Sequence, residues 1–385
     1  MSRKKLKIMS VVGARPNFMK IAPFVRQLER FPDDFEHTLV HTGQHYDACM
    51  SDAFFKALNI PAPDVDLEIG SGSHAEQVGR TMIAFEKTVR ERRPDWVVVV
   101  GDVNATCAAA ITAKKEHLKL AHIEAGLRSR DLDMPEEINR MVTDRLSDLL
   151  FTTDALADAN LIKEGVPSDQ IKFVGNIMID SLESQRAAAV RLDLNTLCAA
   201  HALPDAGDRP PPPLRDNCFS VITLHRPSNV DDKEILGALV ALLTDEVAPV
   251  LPLVWPVHPR TRKQLELFGL WKMLRDCPGV ILTQPVGYHE MLRLTLGAKV
   301  MLTDSGGLQE ECCLFGTPCL TLRWNTERPI TLREQGGVSV LVGNDVGRIR
   351  EEFRLAAVQP RTLHRPPLWD GHTAERIVAC FRELK

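Results

Sequence analysis

The stretch from which we predict the fold is Val300-Met-Leu-Thr-Asp-Ser-Gly-Gly-Leu-Gln-Glu-Glu311. A short apolar strand ends at Leu302, the chain breaks at Asp304–Gly307, and a helix follows with two glutamates near its start. The paired glycines let backbone N–H groups approach a ligand, and the helix N-terminus adds partial positive charge. The stretch therefore predicts a strand, turn and helix that bind a phosphate or diphosphate. The alternative is that the turn only caps the helix.

Two side chains beyond the glycines extend this site. Glu311 lies one turn after Gly307, roughly 6 Å along the axis at about 1.5 Å per residue. A carboxylate at that height can accept hydrogen bonds from a ribose diol while the turn holds the phosphates. Arg328 then offers a planar guanidinium fork for an oxyanion.

Length and composition place the chain among ordinary soluble proteins. Its 385 residues exceed one compact core and predict two domains. A net charge of −4 argues against a nucleic-acid or anionic-membrane partner. The nine cysteines include no Cys-x-x-Cys pair, which indicates buried thiols in a reducing cytoplasm and no metal site. We expect no signal peptide and no membrane span.

The remaining chain alternates strands and helices. The strand Trp96–Val100 is so apolar that both its faces must be covered, as in a parallel sheet. The fold class is therefore α/β, with two Rossmann-like, doubly wound parallel-sheet domains facing across a cleft. We expect an N-terminal domain over residues 1–203, an exposed proline-rich linker over 204–217, a C-terminal nucleotide-binding domain over 218–372, and a final helix over 373–385 that is a candidate to pack back on the N-terminal domain.

Three carboxylates follow strands of the first half. Asp102 and Glu124 stand at the ends of two strands, and Glu136 opens the next helix. Ligands of such folds bind beyond the carboxyl ends of the strands, so these groups are expected at one edge. Desolvation and mutual repulsion raise at least one of their pKa values and separate acid from base. For Glu136 alone, a glutamate behind Pro135 is also an ordinary helix start.

Cations and histidines also follow strands. Arg15 and Lys20 come after the first strand, where they can reach a diphosphate or remain solvated. His225 follows the first strand of the second half, where it can shuttle a proton or neutralise a leaving phosphate. His258 holds the equivalent place on the next strand, and we interpret it as structural or peripheral.

Seven motifs together carry a resemblance to a known family. They occupy residues 13–20 (GARPNFMK), 41–47 (HTGQHYD), 70–77 (GSGSHAEQ), 122–128 (HIEAGLR), 135–140 (PEEINR), 304–311 (DSGGLQEE) and 326–329 (TERP). In this order, and over nearly the whole chain, they resemble the UDP-N-acetylglucosamine 2-epimerase family.

The resemblance implies a glycosyltransferase-B-type fold, a homodimer, and inversion at C2 of UDP-GlcNAc to give UDP-ManNAc for surface polysaccharide synthesis. It implies no metal and no nicotinamide cofactor. By position in the motifs, UDP is held by Arg15, Lys20, Ser305, Gly306, Gly307, Glu311 and Arg328. The catalytic set is Asp102, Glu124, Glu136 and His225. Candidates for a second nucleotide-sugar site are Gln44, His45, Arg226 and His258.

The chemistry of this reaction explains the need for several carboxylates. The C2 proton is not acidic, because no carbonyl lies next to it. Elimination of UDP avoids this difficulty, since a carboxylate takes the C2 proton as the C1–O bond breaks and leaves 2-acetamidoglucal. UDP then adds back with protonation on the opposite face, so both faces of C2 must be served. The sequence does not distinguish which carboxylate takes the proton.

Departures from the family pattern leave alternatives open. Ser228 stands where the family often has Glu, Trp324 follows Arg323 where an acidic or small polar residue is commoner, and Tyr46 follows Gln-His. These residues leave open activation by a second UDP-GlcNAc and the substituents at C3 to C6 of the sugar. The alternatives are epimerisation of UDP-2,3-diacetamido-2,3-dideoxyglucuronate, a hydrolysing variant that releases ManNAc, a glycosyltransferase on the same fold, and a nucleotide-sugar sensor.

Overall fold

Two parallel β-sheets organise the chain, one in each of two units. The computed structural model describes residues 4–43, 62–205 and 211–385. The first unit consists of Met1–Ser184 and Pro367–Lys385, and the second consists of Gln185–Pro366.

The first sheet has seven strands and the second has six, and all the described pairings within them are parallel. The strands are β1 (Leu6–Val12), β2 (Phe35–His41), β3 (Val65–Asp66), β4 (Trp96–Val100), β5 (Lys119–Ala125), β6 (Leu149–Thr152), β7 (Ile171–Phe173), β8 (Ser220–Thr223), β9 (Leu253–Pro256), β10 (Val280–Thr283), β11 (Val300–Thr303), β12 (Cys319–Thr321) and β13 (Ser339–Leu341). Their spatial orders are β3-β2-β1-β4-β5-β6-β7 and β10-β9-β8-β11-β12-β13.

Both orders reverse direction at one point, which is between β1 and β4 in the first sheet and between β8 and β11 in the second. This is the doubly wound arrangement in which ligands bind at the carboxyl ends of the strands beside the reversal. The sequence prediction of two Rossmann-like parallel sheets is confirmed.

Helices connect the strands. The α-helices are α1 (Arg15–Glu29), α2 (His74–Arg92), α3 (Asn104–Lys115), α4 (Pro135–Leu146), α5 (Ala155–Lys163), α6 (Ile177–Val190), α7 (Leu194–Ala200), α8 (Pro227–Val230), α9 (Lys233–Leu242), α10 (Pro259–Leu267), α11 (Trp271–Asp276), α12 (Tyr288–Gly297), α13 (Gly306–Phe315), α14 (Val346–Val358) and α15 (Thr373–Glu383). Shorter turns are the 3₁₀ segments Ser168–Gln170, Pro329–Thr331 and Arg333–Gln335, and a π-helical turn at Leu243–Val247. None of the described helices has both the length and the apolarity to span a membrane.

Each sheet is buried on both faces, as the apolar strands require. Val97 to Val100 on β4 are all fully buried, and Val11 and Phe85 pack into the same core. In the second unit, Ile222, Trp255 and Leu302 lie in one large apolar cluster. Burial of these side chains is the main force that fixes the strand ends, because each contributes about 1.5–3 kcal/mol.

The division into units differs from the boundary at 203/204 that we expected. Leu194 and Leu197 on α7 pack against Phe219 and Val221 in the core of the second unit. The chain therefore enters that unit at Gln185. The sequence pattern did not reveal this helix, which is only seven residues long.

The proline-rich segment expected at 204–217 is also not where the chain passes between the units. Residues 206–210 lie outside the described residues. Leu214 is buried with the second core, and its backbone N–H donates to the side-chain oxygen of Asn195 at 2.8 Å. The described part of this segment therefore belongs to the second unit.

The last residues belong to the first unit. Phe381 on α15 contacts Phe24, Trp96 and Phe151, with ring centroids 5.4–6.0 Å apart. The carboxylate of Asp180 accepts the N–H groups of Thr373 and Ala374 at the start of α15.

Candidate functional site

The turn after β1 is connected to the end of β4 by hydrogen bonds of one side chain. Asn17, in the first turn of α1, accepts the backbone N–H of Ala14 at 3.1 Å and donates to the carbonyl of Val100 at 2.7 Å. Gly101 follows with a φ of +67°, a conformation that glycine adopts at little cost. An added Cβ there would lie 3.2 Å from both Asn17 Nδ2 and Lys20 Nζ.

Glu124 lies in the interior of the first unit. Only 3 % of the residue is exposed, and its Oε2 is in direct contact with Lys20 Nζ. Its Oε1 is buried and makes no hydrogen bond to any described residue. The backbone of Glu124 has a φ of +70° at an irregularity between β5 and β6, a conformation that costs about 1–3 kcal/mol in a residue other than glycine. A strained, buried carboxylate at a strand end is typical of a functional residue.

Asp102 is held by the helix that carries Glu136. Its carboxylate contacts the guanidinium of Arg140, and its carbonyl accepts from Asn139 Nδ2 at 2.9 Å. Arg140 also donates to Glu137, which is fully buried. Burial would raise the pKa of Glu137, but the N–H of Ser129 and the guanidinium of Arg140 hold it below its ordinary value.

A cavity of about 380 Å³ opens at this edge of the first sheet. Asp102 and Glu136 both line it, together with Asn104, Asn139, Gln77, His74, Gly72, Ala14, Val103 and Pro135. The Asn104 amide donates to the side-chain oxygen of Gln77 at 2.8 Å. The structure thus brings two predicted carboxylates to one polar cavity and places Glu124 in the buried contact with Lys20.

In the second unit, Asp304 organises the end of β8. It is fully buried, and its Oδ2 accepts the N–H groups of His225 and Arg226 at 2.9 and 2.8 Å. Its Oδ1 lies 2.7 Å from His225 Nδ1. Burial would raise the pKa of Asp304, but His225 holds it below the ordinary value. The imidazole is 42 % exposed, so Asp304 orients a ring that remains accessible.

The glycine turn follows β11 directly. Ser305 stands at the N-cap of α13, but neither its hydroxyl nor the Asp304 carboxylate caps the helix among the described residues. An added Cβ on Gly306 would lie 2.6 Å from Glu327 Oε1, whereas one on Gly307 would meet no described atom within 4 Å. A side chain at position 306 would therefore displace the ends of the Glu327 and Arg328 side chains, whereas Gly307 leaves open space at the helix start.

Arg328 lies in a buried cluster of charges. Its Nε is 2.9 Å from Glu310 Oε1, and its guanidinium also contacts Glu327. Arg323 Nη2 donates to Glu327 Oε2 at 2.9 Å. Burial would raise the pKa of Glu327, but the two arginines hold it far below the ordinary value.

Glu311 follows Glu310 on α13 and is also buried. Its Oε2 has no hydrogen-bond partner among the described residues. Burial, with a smaller effect from Glu310, raises the pKa of Glu311 to about 8. The hydroxyl of Tyr288 on α12 is also buried without a described partner, and burial followed by the charge of Glu311 raises its pKa.

The remaining predicted residues lie as follows. The His258 ring is 5.7 Å from that of His225, and burial, then the charge of His225, lowers its pKa. Arg226 Nε donates to the carbonyl of Asp304 at 2.9 Å. Gln44 and His45 are outside the described residues, as is the side chain of Arg15.

Sequence reasoning did not assign roles to several residues of these clusters. Asn17, Arg140 and Asp304 orient the predicted groups, and Tyr288 lies near Glu311. Asn17, Arg140 and Asp304 fall inside the motifs at 13–20, 135–140 and 304–311, so the motifs themselves were the available signal. Tyr288 lies in no motif that we singled out.

Comparison with known proteins shows the family. A sequence model described as UDP-N-acetylglucosamine 2-epimerase matches residues 26–382. The UDP-N-acetylglucosamine 2-epimerase of Methanocaldococcus jannaschii is 38 % identical over 376 residues, which cover 97 % of this chain and 98 % of that one. The crystal structure of the M. jannaschii UDP-GlcNAc 2-epimerase with UDP-GlcNAc and UDP is 36 % identical and has a TM-score of 0.85, covering 98 % of this chain and all of that one.

A second relative has a different substrate in its name. The UDP-2,3-diacetamido-2,3-dideoxy-D-glucuronate 2-epimerase of Pseudomonas aeruginosa is 39 % identical over 357 residues, which cover 91 % of this chain and 92 % of that one. Overall identity therefore does not separate the two sugars. The match of the family model and the long, similar relatives together show that the chain belongs to the UDP-N-acetylglucosamine 2-epimerase family.

Proposed function

We propose that this chain is a UDP-N-acetylglucosamine 2-epimerase that interconverts UDP-GlcNAc and UDP-ManNAc by elimination and readdition of UDP. The observation that carries the proposal is the placement of Asp102, Glu124 and Glu136 at the carboxyl edge of the first sheet. Three carboxylates at one edge suit removal and return of a proton on a carbon atom.

The carboxylates divide into buried and accessible groups. Glu124 is buried with one free oxygen, and Lys20 stabilises its charge, so it suits a general base. Asp102 and Glu136 line the open cavity, where one of them can serve the other face of C2. Abstraction of the C2 proton then accompanies departure of UDP from C1. Readdition of UDP to C1 of 2-acetamidoglucal, with protonation of C2 on the other face, gives the epimer.

The second unit is proposed to hold UDP. The backbone N–H groups of Gly306 and Gly307 lie at the start of α13, where the helix dipole favours a diphosphate. Glu311 accepts the ribose hydroxyls, and Arg328 and the predicted ligand Ser305 complete the set in this unit. Donors of this kind act most strongly on charge that develops as the C1–O bond breaks.

His225 is proposed to assist the leaving diphosphate. The Asp304 carboxylate contacts Nδ1 of the His225 ring and fixes the orientation of that ring. Nε2 is then left for the substrate. A ring oriented in this way can donate a proton or a hydrogen bond to the departing oxygen. This arrangement of carboxylate and imidazole supports acid–base chemistry over a binding-only role.

The second candidate substrate is UDP-2,3-diacetamido-2,3-dideoxyglucuronate. The P. aeruginosa relative with that name is as similar to this chain as the M. jannaschii epimerase is. Both reactions invert C2 next to an acetamido group, so the same carboxylates serve either sugar. The elimination chemistry proposed here does not depend on which sugar is the natural one.

We further propose that the chain forms a homodimer in the cytoplasm and supplies UDP-ManNAc for surface polysaccharide. Ile83 on α2, with Ile138 and Met141 on α4, are between 43 % and 63 % exposed on helices that both pack beside α3. Exposed apolar groups on two helices that pack against the same third helix suit contact with a second copy. The eight cysteines of the described residues are free thiols, which suits a reducing compartment.

The test is to incubate the purified protein separately with UDP-GlcNAc and with UDP-2,3-diacetamido-2,3-dideoxyglucuronate and to identify the products by chromatography and NMR. The proposal predicts a mixture of C2 epimers that still carry UDP. Release of free ManNAc would assign the hydrolysing reaction instead. UDP release only in the presence of an acceptor would favour a glycosyltransferase, and binding without turnover would favour a sensor.

A further inference from the structure

His122 is a fully buried histidine with an acceptor at each ring nitrogen. It lies on β5, two residues before Glu124. Its Nε2 is 2.9 Å from the carbonyl oxygen of Gly101, and its Nδ1 is 2.6 Å from a carboxylate oxygen of Asp144 on α4. A carbonyl only accepts hydrogen bonds, so Nε2 carries a proton. If Asp144 is a carboxylate, Nδ1 carries one too, and the ring is an imidazolium.

Asp144 has the partners of a carboxylate. Its Oδ2 accepts the N–H of Gly126 at 3.1 Å and the guanidinium of Arg128 at 2.7 Å. Burial alone would raise its pKa, but His122 and Arg128 hold the pKa of Asp144 below its ordinary value. Arg128 in turn pairs with Glu164 at 2.6 Å. Apart from the ring, the cluster thus contains one cation, Arg128, and two carboxylates, so a doubly protonated His122 makes it neutral.

The group that His122 holds is Gly101, which lies at the centre of the proposed site. The Gly101 N–H donates to the carbonyl of Ile123 at 3.1 Å, and its carbonyl accepts from His122. An added Cβ on Gly101 would lie 3.2 Å from Lys20 Nζ and 3.5 Å from Glu124 Oε2. Asp102 is the next residue. A shift of Gly101 would therefore move Asp102 and disturb the contact between Lys20 and Glu124.

We propose that His122 is a positioning residue, held as an imidazolium by Asp144, that fixes the Gly101 carbonyl and thereby places Asp102 and the Lys20–Glu124 pair for proton transfer. The inference deepens the proposed function and rests on it, since it assigns a role to a group behind the carboxylates. His122 itself is buried and need not contact substrate.

The protonation state can be measured without substrate. Two-bond proton–nitrogen NMR of the protein with ¹⁵N-labelled histidine, at neutral pH, is expected to show both His122 nitrogens protonated. His37 is an internal control, because burial lowers its pKa to about 4 and its ring should be neutral. The histidine signals that are missing from the spectrum of a His122→Gln variant are assigned to His122. A neutral His122 ring in the wild-type protein would overturn the proposal.

Two variants separate the contacts of the ring. His122→Gln keeps a donor that can reach Gly101, whereas His122→Asn keeps one directed towards Asp144. We expect His122→Asn to lower kcat by about 10- to 100-fold, because misplaced reacting groups cost that much, and His122→Gln to lower it less. KM and the Kd for UDP should stay near the wild-type values in both.

The control is His37→Gln on β2, which alters another strand histidine of the same sheet. It should leave kcat unchanged. A wild-type kcat in His122→Asn would contradict a positioning role. A fall in UDP affinity that accounts for the whole loss of activity in this variant would contradict it as well. If the wild-type protein turned over neither UDP-sugar, the proposed function would fail, while the NMR result would still decide the charge state of His122.

Discussion

The ammonium of Lys20 on α1 contacts the carboxylate of Glu124 on β5, and both side chains are at least nine-tenths buried. The contact joins the first helix of the first unit to the strand end that carries a predicted catalytic group. The Glu124 carboxylate thus has one cationic partner and one oxygen without a hydrogen-bond partner among the described residues, which is the geometry that a proton acceptor requires. The pair is thus central to the proposed chemistry.

Glu124→Gln should abolish most of the turnover while leaving UDP binding intact. The amide cannot act as a base, and general-base catalysis commonly contributes about 10²- to 10⁴-fold. Initial rates of epimer formation by NMR and calorimetric titration with UDP measure the two effects. Glu36→Gln, which alters an exposed glutamate on β2 of the same sheet, is the comparison variant. Normal turnover in Glu124→Gln would remove this residue from the catalytic set.

Lys20→Met should destabilise the protein by about 3–5 kcal/mol, because it leaves a buried carboxylate without its cation. The double variant Lys20→Met, Glu124→Gln should recover part of that loss. Chemical denaturation of the four proteins of this cycle gives the coupling free energy. Strictly additive effects would show that the contact contributes no coupling.

Uridine affinity should rise with pH up to about 8, since Glu311 has its pKa raised to about that value by burial and by Glu310. Ribose hydroxyls donate hydrogen bonds, so they favour the ionised carboxylate. The affinity should change by no more than about tenfold per pH unit. Uridine is the probe because it has no phosphate that titrates. Calorimetry should find a flat profile for Glu311→Gln, and a flat profile in the wild type would reject the ribose assignment.

The two glycines of the turn should respond differently to alanine. Gly306→Ala should lower the stability, because its Cβ would approach Glu327 and Arg328 within 2.6 and 2.8 Å. Gly307→Ala should leave the free energy of unfolding nearly unchanged, since no described atom lies within 4 Å of its added Cβ. Gly307→Ala should still weaken the binding of UDP more than the binding of uridine, because the added methyl group obstructs the phosphates. Equal losses for both ligands would place the diphosphate elsewhere.

Much of this fold can be predicted from the sequence, because its strands are short apolar runs bounded by polar turns. The strand Trp96–Val100 is predicted with the bounds that the structure shows. The division between the units cannot be predicted in this way. It depends on α7, whose Leu194 and Leu197 reveal their partners only through tertiary packing. A run of prolines is a visible signal, but it does not mark the domain boundary here.

The site was predictable in its residue types but not in its pairings. The predicted strand ends locate Glu124, Asp102 and His225, yet no spacing indicates that Lys20, Arg140 and Asp304 are their partners. Asp304 is the clearest case. Its place before the glycines suggests a helix cap, whereas in the structure it accepts the N–H groups after β8. Contacts between residues so far apart in the sequence arise only when the strands align.

Proton NMR of the protein with UDP-GlcNAc in deuterated water tests the central claim most directly. Elimination and readdition predict UDP-ManNAc with deuterium at C2, and deuterium should also enter the remaining UDP-GlcNAc at that carbon. UDP-ManNAc that retains the original C2 proton, or unchanged UDP-GlcNAc even at high protein concentration, would contradict the account.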